Sequence, residues 1–315
     1  TLFRSGTAKE HTMKRSRSLA AFTRTKRRLI VTVATAAVLL ISSCAAVAMV
    51  QFHQADYQAL EQRGATRKTL DSFRALSTAD GLFDMPELDT RNTEESRINA
   101  TYMVSQMVGE NHDKVSTQRT LDSLYAYAKD ERNPLAMRLK AYVALKNFKD
   151  TRWESSDGIV KQVEQSFPKN VASDGLAEYL SLAEPVAVLD SDFTPTTMLV
   201  PFNPLTNEQT ERLATSAMIT RYLFGNGSQI PEYFSDLSSD LCAWASGDSP
   251  YVQQTLLAAD ALTGTEQSSC ISRPAIKKLF GCKNSTQMIA IDGSLTGVCS
   301  LTLTYYAYRS GAAPL

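Results

Sequence analysis

The chain is 315 residues long and formally neutral, with 33 Lys/Arg against 33 Asp/Glu. The neutrality hides an asymmetry: residues 1–28 hold nine of the basic residues and a single acid, Glu10, so the remainder carries 24 basic and 32 acidic residues, a net of −8. A body this acidic repels phosphate backbones, which argues against nucleic acid as a partner.

The basic residues of 1–28 are expected to form a cytoplasmic tail; Met13 heads a basic stretch suited to a true start, so residues 1–12 are read as upstream sequence and given no structural weight. An apolar run free of charge and proline begins at Leu29 and continues through Val50. At about 1.5 Å rise per residue it spans roughly 33 Å, enough for a bilayer core of about 30 Å. The expectation is a transmembrane signal anchor over residues 29–52, Leu29 to Phe52, with the lipid bilayer as its partner. The Lys/Arg cluster ahead of it keeps the N-terminus inside and places residues 53–315 outside the cell membrane. Three fates are open to the segment. It is retained as an anchor, favoured because apolarity continues past Cys44. It is a lipoprotein signal, with Ile41-Ser42-Ser43-Cys44 as the lipobox and Cys44 lipidated. Or it is cleaved at Ala46-Val47-Ala48.

Beyond the anchor the pattern reads as helix after helix. Leu121, Leu124, Tyr125 and Ala128 follow a 3.6-residue period, and Pro134 opens a helix marked by Leu135, Leu139 and Tyr142. Leu176, Tyr179, Leu180 and Ala183 repeat the spacing, with Pro185 as the expected stop. Thr206 and its neighbours form a capping box before Leu213, closed by Gly225. Pro231 opens a run through Leu237, Leu241 and Trp244 that ends at Gly247, and Val252, Leu256 and Ala259 mark the next, ended by Gly264. The fold class expected is all-α, with residues 185–204 and 281–297 as loops crossing one face. A functional surface would most naturally sit on such loops.

Four cysteines lie outside the membrane, all in the last quarter: Cys242, Cys270, Cys282 and Cys299. An even count in an oxidising compartment predicts two disulfides, with nearest neighbours paired as the favoured connectivity. Without a C-x-x-C pair a zinc site is not expected. Only His53 and His112 follow the anchor, so neither a His-rich metal site nor a serine triad has much to draw on.

An internal similarity bears on architecture. Asp80-Gly81-Leu82-Phe83-Asp84 leads into Ile98-Asn99-Ala100-Thr101-Tyr102-Met103, and Asp292-Gly293-Ser294 leads into Ser300-Leu301-Thr302-Leu303-Thr304-Tyr305-Tyr306. A Gly-containing loop feeding a helix with Thr-Tyr resembles the repeat of the α/α toroid, the fold of protein prenyltransferase β subunits and of terpene and squalene cyclases. The resemblance covers about 60 residues and implies an inner and an outer ring of paired helices, with Tyr102 and Tyr305 facing a central ligand space. Independently of any family, a helical pair that cannot bury its face alone must stack on its neighbours, as a closed toroid or an open solenoid. The family's chemistry does not carry over. The cyclase Asp-x-Asp-Asp acid has only Asp190-Ser191-Asp192-Phe193 to match it, and no histidine follows His112 to complete a prenyltransferase zinc site.

Asp190 and Asp192 have a second reading, the D-x-D with which metal-dependent glycosyltransferases hold a divalent cation against a sugar nucleotide. Against it stand the helices upstream, where such enzymes need alternating strands, and the ordinary use of aspartates in turns and caps. Asn99, Asn226 and Asn284 head N-glycosylation sequons. Phosphate-cradling loops, G-x-S-x-G and H-E-x-x-H are missing from the sequence. The sequence therefore favours a membrane-anchored, non-catalytic binding or scaffold domain without a cofactor, its ligand an extracytoplasmic protein, glycan or lipid. A toroid-like enzyme on an isoprenoid or glycan and a D-x-D glycosyltransferase are the alternatives.

Overall fold

The computed structural model describes residues 67–167, 170–171, 176–190, 193, 198–199, 235–249, 251–263 and 266–312. The expected anchor at residues 29–52, Cys44, Asp192, Asn226 and the helix expected after Thr206 lie outside the described residues. Among the described residues, no helix is long and apolar enough to cross a membrane.

The described chain is mostly helical. Its α-helices are α1 (Arg67–Arg74), α2 (Glu94–Val108), α3 (Gln118–Lys129), α4 (Leu135–Asn147), α5 (Asp157–Ser166), α6 (Leu176–Leu189), α7 (Ser235–Ala243), α8 (Val252–Leu262), α9 (Arg273–Lys277) and α10 (Leu301–Arg309). Two of the starts use reciprocal capping boxes. The Ser96 amide donates to Thr93 Oγ1 at 3.2 Å and Thr93 to Ser96 Oγ at 2.7 Å, and Thr117 and Thr120 repeat the exchange ahead of α3. Pro134 stands at the cap of α4, where its missing N–H costs nothing. Gly247, at φ 100°, ends the turn of Trp244–Asp248 that follows α7.

Two expectations are corrected. The fold is not purely helical: β3 (Phe280–Cys282), β4 (Ser285–Ala290) and β5 (Cys299–Ser300) form an antiparallel sheet inside the stretch read as a polar loop. Its strands are short and its first pairing is broken by register shifts, so no alternating pattern announces it. The two-residue strands β1 (Asn170–Val171) and β2 (Met198–Leu199) pair in parallel. Nor does Pro185 stop its helix; it lies inside α6. A helix-interior proline costs about 3 kcal/mol. Burial of Tyr179, Leu180, Ala183, Val186 and Leu189 around it offsets that cost, at about 1.5–3 kcal/mol for each large side chain removed from water.

Helix α2 packs against α4, α4 against α3 and α6, and α8 against α10; α10 then returns to α2. Phe73, Phe83, Ile98, Leu124, Leu139 and Leu145 are wholly buried in one hydrophobic cluster, and Leu256, Ile276 and Ile289 in another.

The internal similarity is also a structural one. Asp80 Oδ1 accepts the Leu82 amide at 3.1 Å and Asp292 Oδ1 accepts the Ser294 amide at 3.0 Å, two Asx turns whose central glycines have φ of 83° and 72°. Side-chain-bearing residues rarely adopt that conformation. A Cβ on Gly81 would also stand 2.7 Å from the Thr120 amide. Near each turn, after it in the first copy and before it in the second, an extended amide donates to a helical threonine. Phe83 N–H donates to Thr101 Oγ1 at 3.1 Å, and Ile289 N–H donates to Thr304 Oγ1 at 3.0 Å. Both threonines in turn donate to the carbonyl four residues back, Arg97 and Ser300. The next residues, Tyr102 and Tyr305, meet with ring centroids 6.2 Å apart.

One side chain bolts the two copies together. Glu87, just ahead of α2, accepts the Leu301 and Thr302 amides at 3.0 Å each, together with the Thr302 and Ser300 hydroxyls. A carboxylate there satisfies open N–H groups and complements the positive end of α10. Glu87→Ala is expected to lower stability by about 2 kcal/mol, as charge-assisted caps do, read as a fall in the urea midpoint at unchanged slope.

Candidate functional site

Five helices each send a polar side chain into one cluster. Asn99 and Tyr102, three apart on α2, share a face, as do Tyr305 and Arg309, four apart on α10. Lys140 comes from α4, Glu184 from α6 and Asp260 from α8. Lys140 Nζ donates to Asn99 Oδ1 at 2.7 Å and lies 5.5 Å from the centre of the Tyr102 ring. Arg309 is the hinge of the network. Its Nη1 donates to Glu184 Oε1 and to the Tyr305 hydroxyl at 2.9 Å, and its Nε pairs with Asp260 Oδ1 at 2.7 Å. Tyr305 OH lies 3.4 Å from Glu184 Oε1. Thus α10 reaches both α6 and α8 through one guanidinium.

The cluster is dry. The Asp260 side chain has 0% exposure, Arg309 12% and Glu184 19%. Burial pushes the Tyr305 phenol well above its ordinary range, and burial lowers the Lys140 ammonium against the opposing pull of Glu184. Two cations and two carboxylates balance. Burying such a set is costly unless the charges are compensated, and here Arg309 stands in ion-pair contact with both Glu184 and Asp260 while Lys140 is held by Asn99. Its chemistry is restrained accordingly: both carboxylates are engaged by Arg309, and a phenol as buried as Tyr305 stays protonated.

Of the residues singled out in the sequence, Tyr102 and Tyr305 are brought together here. Asp190 is not part of the cluster; it follows α6, where its amide donates to the Val186 carbonyl at 2.8 Å. Burial, reinforced by the Asp190 charge, holds the neighbouring Glu164 carboxyl above the ordinary range. Beside it Lys146 donates to the Val188 carbonyl at 2.7 Å while lying 4.5 Å from the centre of the Trp153 ring. That is the company of a helix C-terminus. Among the described residues no group of His, Cys, Asp or Glu has the arrangement to hold a metal ion. Cys242 and Cys270 are bonded, as are Cys282 and Cys299, with Cα separations of 5.1 and 5.2 Å. The Asn99 sequon lies on α2, with Thr101 buried, whereas Asn284 and Thr286 stand exposed at the turn and start of β4.

Sequence reading missed Lys140, Glu184, Asp260 and Arg309. The signal for Asp260 was local: a lone acid within Leu256-Leu257-Ala258-Ala259-Asp260-Ala261-Leu262, a stretch with no polar face to receive it. Compared with known protein families, characterised proteins and solved structures, the chain shows no significant match.

Proposed function

We propose that this chain is a membrane-tethered extracytoplasmic binding domain, built as a closed ring of helices on the plan of the α/α toroid. The apolar run at residues 29–52 and the charge step ahead of it support the tether and the orientation. The two disulfides suit an oxidising compartment. Ring closure is supported by the return of α10 to α2, by Glu87 capping α10, and by the matched Asx turns and threonine bonds of the two helix starts. The ligand is an extracytoplasmic protein, glycan or lipid.

The binding reading is carried by the neutralised hub. A cyclase-like site needs an acid free to give its proton and a cavity to receive substrate. Here the central carboxylates, Glu184 and Asp260, are each held by Arg309 among packed tyrosines. Carbodiimide labelling of the native full chain tests this. Exposed carboxylates such as Glu94 and Glu95 should react while Glu184 and Asp260 stay unmodified; rapid modification of either would overturn the binding reading. The tether has its own test. Protease added to intact cells should digest residues beyond 55 and spare an N-terminal tag, and the opposite pattern overturns the topology.

A further inference from the structure

We propose that Glu164 on α5 and Asp190 at the end of α6 form an acid-sensitive latch: sharing a proton they close the root of the β1–β2 strand pair, and without it they repel and let that root open. Two packed segments meet there, and both run on into the pair. Helix α5 ends at Ser166 and β1 begins at Asn170, while α6 ends at Leu189 and β2 begins at Met198. Asn170 stands opposite Met198, and Val171 opposite Leu199. A pair this short is not stable by itself, so it depends on the segments that deliver it. Those segments are matched side chain for side chain. Glu164 and Phe167, three apart, share a face at the end of α5. The Phe193 amide donates to the Asp190 carbonyl at 3.3 Å, closing a turn that brings those two residues together. Phe167 then packs on Phe193 and on Tyr179 of α6, with ring centroids 5.2 Å apart in both cases.

Beside this apolar contact lies a polar one. Glu164 Oε1 is shut off from solvent and has no hydrogen-bond donor among the described residues. The carboxyl that acts on Glu164, by charge and as a hydrogen-bond partner of the protonated form, is that of Asp190. Two carboxyl groups bond to each other only when one keeps a proton; both ionised, they repel. The surrounding charges are engaged elsewhere or distant. Lys161, on α5 itself, is exposed and opposes the effect of Asp190 only weakly. Lys146 of α4 acts on Asp190, but its ammonium donates to the Val188 and Leu189 carbonyls at 2.7 and 3.4 Å and lies over Trp153. The turn of Thr151–Ser156, which also packs on α5, brings the exposed Glu154 and Arg152, the latter paired with Asp122 and Asp150. Asp157 is exposed at the far end of α5. On α6, Glu184 is paired with Arg309, and Glu178 lies about 18 Å up the helix from Asp190. The sign of the pH dependence follows from the raised Glu164 carboxyl: the closed latch holds the proton more tightly than the open one. Its contribution is full below the ordinary carboxylate value of about 4.3 and is lost as the pH rises through the raised value. Each pH unit between the two values multiplies the opening constant by up to about ten.

Hydrogen–deuterium exchange of the full chain in detergent micelles, read by mass spectrometry and corrected for the intrinsic pH dependence of exchange, tests the latch. In the parent chain, peptides covering residues 160–167 and 185–193 should be several-fold better protected at about pH 5 than at about pH 7.5. A peptide covering α8, far from the pair in sequence and not packed on α5, should show no such change. Glu164→Gln, which cannot take up a charge, should be well protected at both pH values and lose the difference. Asp190→Asn, which removes the repulsion, should shrink it. Protection that does not vary with pH in the parent overturns the latch. So does a Glu164→Gln chain that varies as much as the parent, or a change at α8 as large as that at residues 160–167. Should Glu164→Gln fail to fold, Asp190→Asn decides: a pH dependence equal to the parent's overturns the proposal, and a reduced one sustains it.

Discussion

Arg309→Leu is expected to destabilise the domain by about 3–5 kcal/mol, the range measured when one partner of a buried ion pair is removed. That is a large part of a net stability of about 5–15 kcal/mol. The size follows from what is left behind. Asp260 has no exposed surface and Glu184 little, and both are compensated by the same guanidinium. Leucine fills much of the volume, so the deficit reports charge more than cavity. One measurement separates these causes. In urea unfolding, Asp260→Asn added to Arg309→Leu should recover part of the loss, a coupling of about 0.5–3 kcal/mol for residues in one network. A deficit that the second substitution leaves unchanged would mean that the cluster is held by packing alone.

Reduction of the disulfides is the second large effect. In the chain-entropy model, closing loops with sequence separations of 28 and 17 contributes about 3.6 and about 3.1 kcal/mol. Their combined loss, about 7 kcal/mol, brings a domain of ordinary stability close to unfolding. The two bonds should not yield together. Cys282 and Cys299 are buried at 6% and 7% exposure, whereas Cys242 and Cys270 are only partly covered. Thiol–disulfide exchange needs access. Mild reductant followed by alkylation and peptide mapping should therefore label Cys242 and Cys270 first, with a fall in urea midpoint equivalent to about 3.6 kcal/mol, and the second pair only as the sheet opens. Labelling of Cys282 and Cys299 first would contradict this order. Both losses should be felt in the last quarter of the chain, where the bonds fasten α7 to the turn before α9 and β3 to β5.

Much of the helical framework is legible locally. Leu124 and Ala128, Leu139 and Tyr142, and Leu256 and Ala259 are buried as their spacing implies, because a helix turns every fourth residue back onto the same face. Capping residues and glycines mark the ends for equally local reasons. The sheet is less visible, since β3 and β5 hold three and two residues and owe their position to the Cys282–Cys299 bond and to neighbours from α1 and α10. Pro185 misleads because the rule it obeys is local too, and the burial that overrides it is not.

The sequence by itself determined that the chain is largely helical and where several of the helices lie, that four cysteines would pair, and that Tyr102 and Tyr305 occupy equivalent places in two similar segments. These follow from short-range geometry and from residue chemistry. Only the tertiary structure decided that those tyrosines touch, that Glu87 caps a helix more than two hundred residues away, and that Lys140, Glu184, Asp260 and Arg309 converge. A charge on a helix looks the same in sequence whether its face meets water or a buried cluster. Which it meets depends on how several distant helices stack, and the free energy of that choice, desolvation against pairing, is set by neighbours no local window contains.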